Sequence, residues 1–407
     1  MVQHSTCVAC NSKKLYKALD LGRMPNSNGF VLKRDLNKIV NLPIIFYWCS
    51  YCGMFQQLDL TEPKKLFNEN YTYQTGINAP AVAHFNYLAK ILATRVNKRD
   101  FAIVIASNDG TELNALKRYG FKNVIGIEPS KNMADLANQH GLDTINSFFN
   151  MSISNKVFKK YGKADLILAN NVFAHISNPY EMLLSMKNIL KNSGQIVIEV
   201  QWFKDVFEKL SIDTLYAEHY YEWTVKAMRN LSKRCGLKLI KSEHLPGQQG
   251  GSVRFTIKMS GKDSHELENI ECKSGIYKKN RIMLMQKRAE LRKLKLVNLL
   301  KNIKKDKKSV VIWTVPAKVP TILNFCKINS NYIKCAYDST PAKISRFIPQ
   351  ANIEIRDEKL LNKSMEDVPD YIIIGAWNYL DFAREKLSWF TKRGGKLINL
   401  LNADILN

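Results

Sequence analysis

The chain lacks any apolar run approaching the ~20 residues that a membrane-spanning helix requires, which argues against a helical membrane protein. Its first residues, MVQHSTCVAC, do not read as a secretory signal, so the cytoplasm is the expected compartment. Internal repeats and low-complexity tracts are absent, which argues against a solenoid or a disordered tail. Acidic residues are in deficit, 36 against 61 lysines and arginines, giving a formal charge of +25. That excess is spread out, with one dense cluster at Lys301–Lys308, and no basic–aromatic alternation accompanies it. A nucleic-acid groove is therefore not expected, and the charge reads mainly as solvated lysine-rich faces. Cysteines are few and uneven; Cys235, Cys272, Cys326 and Cys335 are scattered, as reduced thiols are, and form no disulfide framework.

The other four cysteines are paired. Cys7-Val-Ala-Cys10 and Cys49-Ser-Tyr-Cys52-Gly53 have the spacing of two tight turns converging on one tetrahedral zinc. Four thiolates fill that coordination sphere, so the expected zinc is structural.

At 407 residues the chain is long enough for two or three domains. Short apolar runs alternate with helical patterns from Phe101 onward, predicting a doubly wound parallel α/β sheet. The divisions expected are a zinc-binding module over 1–78, a catalytic domain over 79–265, a helical connection over 266–305 and a second Rossmann-like lobe over 306–407. Within the connection, residues 263–305 read as a long amphipathic helical stretch with Ile282, Met285, Leu291, Leu294, Leu299 and Leu300 on its apolar positions. Strands are expected at Val310–Trp313, Tyr332–Tyr337, Tyr371–Ile374 and Lys396–Leu400 in the last lobe.

Phe101–Ile105 followed by Ser107-Asn108-Asp109-Gly110-Thr111 is a strand, a turn of small residues and a helix start. That arrangement aims backbone N–H groups at the mouth of a sheet crevice. Glu128 ends the next strand, where a carboxylate accepts hydrogen bonds from ribose hydroxyls. The Gly-x-Gly-x-x-Gly fingerprint of dinucleotide sites is missing from the turn, so an adenosine ligand of another kind is favoured.

Ser107–Thr111, Ile127-Glu128-Pro129-Ser130 and Ala169-Asn170-Asn171-Val172-Phe173-Ala174-His175 resemble the sugar C-methyltransferase family. So do Asp213-Thr214-Leu215-Tyr216-Ala217-Glu218-His219, Gly250–Arg254, Pro316-Ala317-Lys318, Arg346–Pro349 and Ala376-Trp377-Asn378, in that order. The resemblance spans nearly the whole chain. It implies a class I methyltransferase sheet, S-adenosylmethionine as cofactor and a nucleotide-linked 4-keto-6-deoxy sugar as the substrate partner. A monomer is expected, with no nucleic-acid and no membrane partner. The cofactor residues it implies are Ser107, Asn108, Asp109, Gly110, Glu128, Pro129, Asn170 and Asn171. Tyr71, Tyr73, Lys318, Arg346, Trp377 and Asn378 are implied on the sugar-nucleotide side. The sequence departs from the family at Val104 and Ala106, where an acid and a glycine are usual, at Gln249, where a histidine is usual, and at Thr314, where a glycine is common.

Methylation at carbon needs a base and a group that stabilises an oxyanion. His219 is the expected base, Tyr216 the expected donor to the oxyanion, and Glu218 the residue that orients the His219 ring or holds a sugar hydroxyl. His175, at the end of a buried strand, is expected to hold the sugar or the enolate. His84 and His244 lack such surroundings and read as structural. Competing readings are an O- or N-methyltransferase of a small metabolite, a non-catalytic sugar-nucleotide binder, and a zinc-ribbon nucleic-acid binder.

Overall fold

Phe101–Ile105, buried along its whole length, lies inside the largest sheet. The structure is a computed structural model and describes residues 2–67, 69, 71–95, 97, 100–361 and 368–406. Across this sheet the strands run in the order 238–245, 252–258, 190–201, 164–170, 101–105, 123–128 and 144–146. The five that include Phe101–Ile105 and its flanking neighbours are parallel. Ser252–Lys258 is not: it runs antiparallel to both of its neighbours. The expected parallel doubly wound sheet is there in five strands, and its far edge is antiparallel. The connection 246–251 is too short for a parallel crossover, which takes about a dozen residues, so the chain turns back as a hairpin.

A second seven-stranded sheet, centred on Val310–Trp313, forms the C-terminal lobe, parallel in its middle and closed by antiparallel edges. Three of its four expected strands lie where the pattern put them. The fourth is shorter, Ala336–Asp338, because Asn329–Tyr332 closes a turn through the Tyr332 N–H and the Asn329 carbonyl. The helical stretch at 263–305 is three helices, Glu266–Ser274, Lys279–Met283 and Met285–Lys305. Gly275 ends the first in a left-handed conformation, φ 81°, where a Cβ would collide with Arg281. Leu291 and Leu294 face solvent, at 57% and 54% exposure. The buried stripe of the last helix is Met285, Ala289, Leu296, Leu300 and Ile303 instead.

The N-terminal residues form a four-stranded antiparallel sheet from Leu15–Met24, Leu42–Cys49, Phe55–Gln56 and Tyr221–Glu222. The last strand comes from the segment that carries His219. A bridge from Val31 to Phe347 ties the same N-terminal region to the edge of the C-terminal sheet. One apolar cluster includes Phe46 and Phe55 of the first region, Phe203 and Phe207 of the second and Ile312 and Ile373 of the third. Among the described residues no helix is long and apolar enough to cross a membrane.

Candidate active site

Each cysteine pair sits on its own tight turn, closed by Asn11 N–H to the Cys7 carbonyl and by Gly53 N–H to the Cys49 carbonyl, both 2.8 Å. Gly53 has φ 76°, a conformation that costs glycine little. The four Sγ atoms of Cys7, Cys10, Cys49 and Cys52 lie within 4.8 Å of one another, the closest pairs at 3.5 and 3.6 Å. Sulfurs around tetrahedral zinc, at Zn–S of about 2.3 Å, stand roughly 3.8 Å apart, so the set fits a structural zinc. The Arg234 guanidinium donates to the carbonyls of Val8 and Ala9, and the Thr224 hydroxyl to that of Cys52. The metal turns are thereby fastened to the helix Val225–Arg234.

Glu128, Asn170 and the turn after Ile105 meet at one end of the parallel strands. The turn alternates into the left-handed region, with φ of 54° at Ala106, 51° at Asn108 and 81° at Gly110. A Cβ on Gly110 would lie 2.4 Å from Leu142, so only glycine fits there. Glu128 accepts the N–H groups of Asn108 and Ser130, both at 2.8 Å, which aims its carboxylate along the crevice. Burial pushes its pKa upward against the pull of those two donors. Ser107 Oγ and Asn170 Oδ1 are buried without a hydrogen-bond partner. Unmet polar atoms beside a backbone cradle fit a polar adenosine ligand such as S-adenosylmethionine. Asn171 shapes the same rim, at φ 59°, with its N–H on the Glu199 carbonyl; Pro129 is held by Asn146.

The side chains of Asn108 and Asp109 are used differently from the expectation. Asn108 accepts from Thr75 N–H and donates to the Tyr73 carbonyl, and Asp109 accepts from Gly76 N–H and from Thr111. They hold residues 73–76 over the crevice, leaving their backbone to line it. Val104, where the related family has an acid, is packed in the apolar core. A buried acid stands nearby all the same: Glu112 accepts from Asn170 Nδ2 at 2.6 Å, and burial, then Glu199, pushes its pKa to about 8. Its place in the first turn of the helix after Gly110 was the available signal. Glu199 in turn is bracketed by His84 at 2.6 Å and Arg254 at 2.5 Å, and His244 lies 2.7 Å from Asp205, so both histidines sit against carboxylates.

Replacing Ala106 by glycine should relieve the left-handed strain, worth about 1 kcal/mol. Urea denaturation of Ala106→Gly should show the folded state stabilised by that amount.

Four aromatic and imidazole rings form a chain that leads to His219. Tyr71 packs on Phe67 at 5.3 Å, Phe67 on His175 at 5.4 Å, and His175 on His219 at 4.7 Å between centroids. The Tyr216 hydroxyl lies 2.8 Å from His219 Nε2. Burial, then Glu218, pushes the Tyr216 phenol well up, so it keeps its proton. Burial, then His175 and Lys318, pushes His219 well below the usual imidazole range; burial lowers His175 to about 4. Both rings are neutral at physiological pH. His175 Nδ1 lies 2.6 Å from the Glu218 carbonyl.

Glu218 does not orient the His219 ring. Its two carboxylate oxygens accept from the N–H groups of Ser27 and Asn28 and from the Asn28 amide. Four consecutive residues pointing to different sides cannot all face one ligand, and Glu218 faces the N-terminal module. Gln57, which the sequence did not single out, donates to the carbonyls of both Tyr216 and His219 and fixes their loop from beneath. Tyr71 connects the two halves of the site: burial, then Tyr73, Glu128 and Glu218, all raise its phenol. Tyr73 is 41% exposed and lies where residues 73–76 meet Tyr379 of the C-terminal lobe. Asn70, beside them in sequence, lies outside the described residues.

From the C-terminal lobe, Lys318 reaches the same place. Its ammonium donates to the Gln249 carbonyl at 3.0 Å, stands 4.8 Å from the Trp377 ring centroid and faces the carboxyls of Asp213 and Glu222. Trp377 Nε1 donates to Asp213 at 2.6 Å. Gly250 must be glycine for this, since a Cβ would come within 2.7 Å of the Trp377 ring. Asn378 is half-buried in the same short turn. Arg346 goes elsewhere: its guanidinium donates to the Phe30 carbonyl, because the edge strand Phe347–Ile348 docks on the N-terminal region there. That contact braces the interface between the N-terminal region and the C-terminal lobe.

This sheet order, with one reversed strand next to the end, and a crevice built from the turn after Phe101–Ile105, define a class I methyltransferase. Three family models match in succession: a zinc binding domain over residues 7–67, a methyltransferase domain over 105–242 and a C-methyltransferase C-terminal domain over 247–401. In this order the three models make the chain similar to C-methyltransferases along most of its length. It is 25% identical to the C-methyltransferase NovU of Streptomyces niveus over 370 residues, 88% of this chain and 85% of that one. Among solved structures, the magnesium protoporphyrin IX methyltransferase ChlM of Synechocystis PCC 6803 with bound S-adenosylmethionine is 11% identical. It matches 50% of this chain and 100% of its own, with a TM-score of 0.37. The CcbJ methyltransferase of Streptomyces caelestis is 10% identical over 48% of this chain and 99% of its own, also with a TM-score of 0.37.

Proposed function

We propose that the protein methylates a carbon next to the ketone of a nucleotide-linked 4-keto-6-deoxy sugar, with His219 as the base. The observation that carries this reading is the buried Tyr216–His219 pair, 2.8 Å apart, held beside His175 and joined to the cofactor end through Tyr71. A hydroxyl or amine acceptor could use a base, but it develops no enolate oxyanion for the second member of the pair to stabilise.

S-adenosylmethionine, when bound, supplies a methyl group on a positively charged sulfur, which an electron-rich carbon takes directly. Glu128 would hold its ribose hydroxyls, with the backbone of Ser107–Gly110 and the orphaned Asn170 oxygen on its polar atoms. The residues of the acceptor side prepare the carbon. His219 takes the proton from the position next to the ketone, leaving the bonding electrons as an enolate. Its depressed proton affinity keeps it in the basic form across physiological pH. The Tyr216 hydroxyl, 2.8 Å from Nε2 in the free site, turns to the ketone oxygen and stabilises the charge that forms there. His175, neutral and fixed by the Glu218 carbonyl, offers its other nitrogen to the sugar. Lys318 and Trp377 supply a cation and a stacking face to the nucleotide-linked part.

The test is to supply labelled S-adenosylmethionine with a panel of nucleotide-linked ketosugars and to follow mass. One added methyl, with solvent deuterium exchanging at the same carbon, is the expected result. A methyl on oxygen or nitrogen without exchange would overturn the reading. Glu128→Ala is expected to weaken S-adenosylmethionine binding at least tenfold in calorimetry, since charge-assisted hydrogen bonds contribute about 1.5–3 kcal/mol. Unchanged affinity would remove Glu128 from the cofactor site.

A further inference from the structure

Among the described residues, three buried polar atoms at or beside the proposed base have no hydrogen-bond partner. They are Nδ1 of His219 and both carboxyl oxygens of Glu222. Glu222 is 0% exposed, and its Oε1 stands 3.8 Å from that Nδ1. A buried polar group left without a partner costs about 1–3 kcal/mol, and a charged one more. Two such groups pointing at each other across a gap about 0.8 Å longer than a hydrogen bond form a natural pair.

We propose that Glu222 is a positioning residue for His219: it accepts the Nδ1 hydrogen and so leaves Nε2 as the basic nitrogen. The proposal rests on the reading of His219 as the base. The backbone geometry supports it, because Glu222 is fixed in a strand by its pairing with Phe55. In the proposed tautomer the ring's hydrogen is on Nδ1, which leaves Nε2 to accept from the Tyr216 hydroxyl 2.8 Å away. Glu218, the acid expected to do this from the sequence, has both oxygens bonded to Ser27 and Asn28. In either protonation state a carboxyl group retains an oxygen that accepts N–H.

The surroundings of the pair are mixed in charge. His175, Tyr216 and the Thr214 backbone act on the imidazole, and Lys318 and Asp213 are the charged groups that act on Glu222. Burial pushes Glu222 upward, Lys318 pulls it down, and Asp213 pushes it up again. When Nε2 takes the carbon-bound proton, the ring becomes a cation and the electron pair stays on the substrate. Glu222 then faces that cation across Nδ1–H, which favours the ionised carboxylate at the moment it is needed.

Glu222→Gln tests this without changing shape. The amide nitrogen can donate to Nδ1 and thereby move the ring hydrogen to Nε2, the wrong nitrogen for the base. Deuterium exchange at the substrate carbon and kcat should both fall at least ~100-fold, the usual weight of an aligned general base, while S-adenosylmethionine affinity stays the same. Thermal stability should be unchanged or higher, because an unpartnered buried acid has been removed. Nitrogen-15 shifts of the His219 ring, read without substrate, should show Nδ1–H in the wild type and Nε2–H in Glu222→Gln. Exchange within ~3-fold of wild type, or an unchanged ring tautomer, would overturn the proposal. If the wild type exchanges no ketosugar hydrogen at all, the reading of the reaction fails, and the ring shifts still decide the role of Glu222.

Discussion

Exchanging His219 for asparagine should abolish methyl transfer and, in the same variant, all deuterium exchange at the substrate carbon, while S-adenosylmethionine still binds. The argument is one of place. His219 is the imidazole at the end of the ring chain from Tyr71, with its Nε2 on a protonated Tyr216 and its basicity lowered by burial, His175 and Lys318. Asparagine preserves polarity and approximate volume but titrates nowhere near neutrality. A positioned general base contributes about 10²–10⁴-fold, so residual activity should lie near the detection limit. The pH profile of the wild type supplies a second reading. A base whose proton affinity is depressed stays active as the pH falls below the ordinary histidine value of about 6.5, so the acid limb of kcat/KM should lie below it. Exchange at the wild-type rate in His219→Asn would remove this residue from the chemistry.

Removing zinc should have an effect of comparable size, although the thiolates do no chemistry. Chelation, or Cys52→Ser, is expected to disorder residues 7–67 and to extinguish activity in proportion to zinc released. The reason lies in what the N-terminal region holds. Gln57 carries the carbonyls of Tyr216 and His219, Phe55–Gln56 pairs with Tyr221–Glu222, and Ser27 and Asn28 satisfy Glu218. Loss of the metal leaves four thiolates crowded within 4.8 Å and removes on the order of 10 kcal/mol of binding free energy from a small module. Glu128 and the turn after Ile105 belong to the central sheet and should keep cofactor affinity better than they keep turnover. Zinc release measured with a chromogenic chelator, set against activity and cofactor binding, checks the order of loss. A zinc-free protein with full turnover would contradict it.

The strands around the crevice were legible because buried parallel strands leave short β-branched runs bounded by small residues, as at Phe101–Ile105 and Val310–Trp313. The metal turns were legible because a Cys-x-x-Cys pair is local. What the sequence hid is non-local. No periodicity announces that Tyr221–Glu222 completes a sheet begun at Leu15, or that Gln57 reaches beneath His219. Glu218 and Glu222 are both acids within four residues of the proposed base, and only the direction of the chain tells them apart. Arg346 is implied on the sugar-nucleotide side by the resemblance alone, and the Val31–Phe347 bridge places it beside a backbone carbonyl. The reversed strand Ser252–Lys258 reads like its parallel neighbours because burial on both faces erases the difference.

The two-residue strand Tyr221–Glu222 has a practical meaning for anyone recombining such enzymes. Grafting the first 67 residues of one relative onto the remainder of another would cut a sheet between donor and recipient, since its outer strand is encoded some 150 positions downstream. A working chimaera has to carry both pieces together, so acceptor preference and metal cap are inherited as one unit.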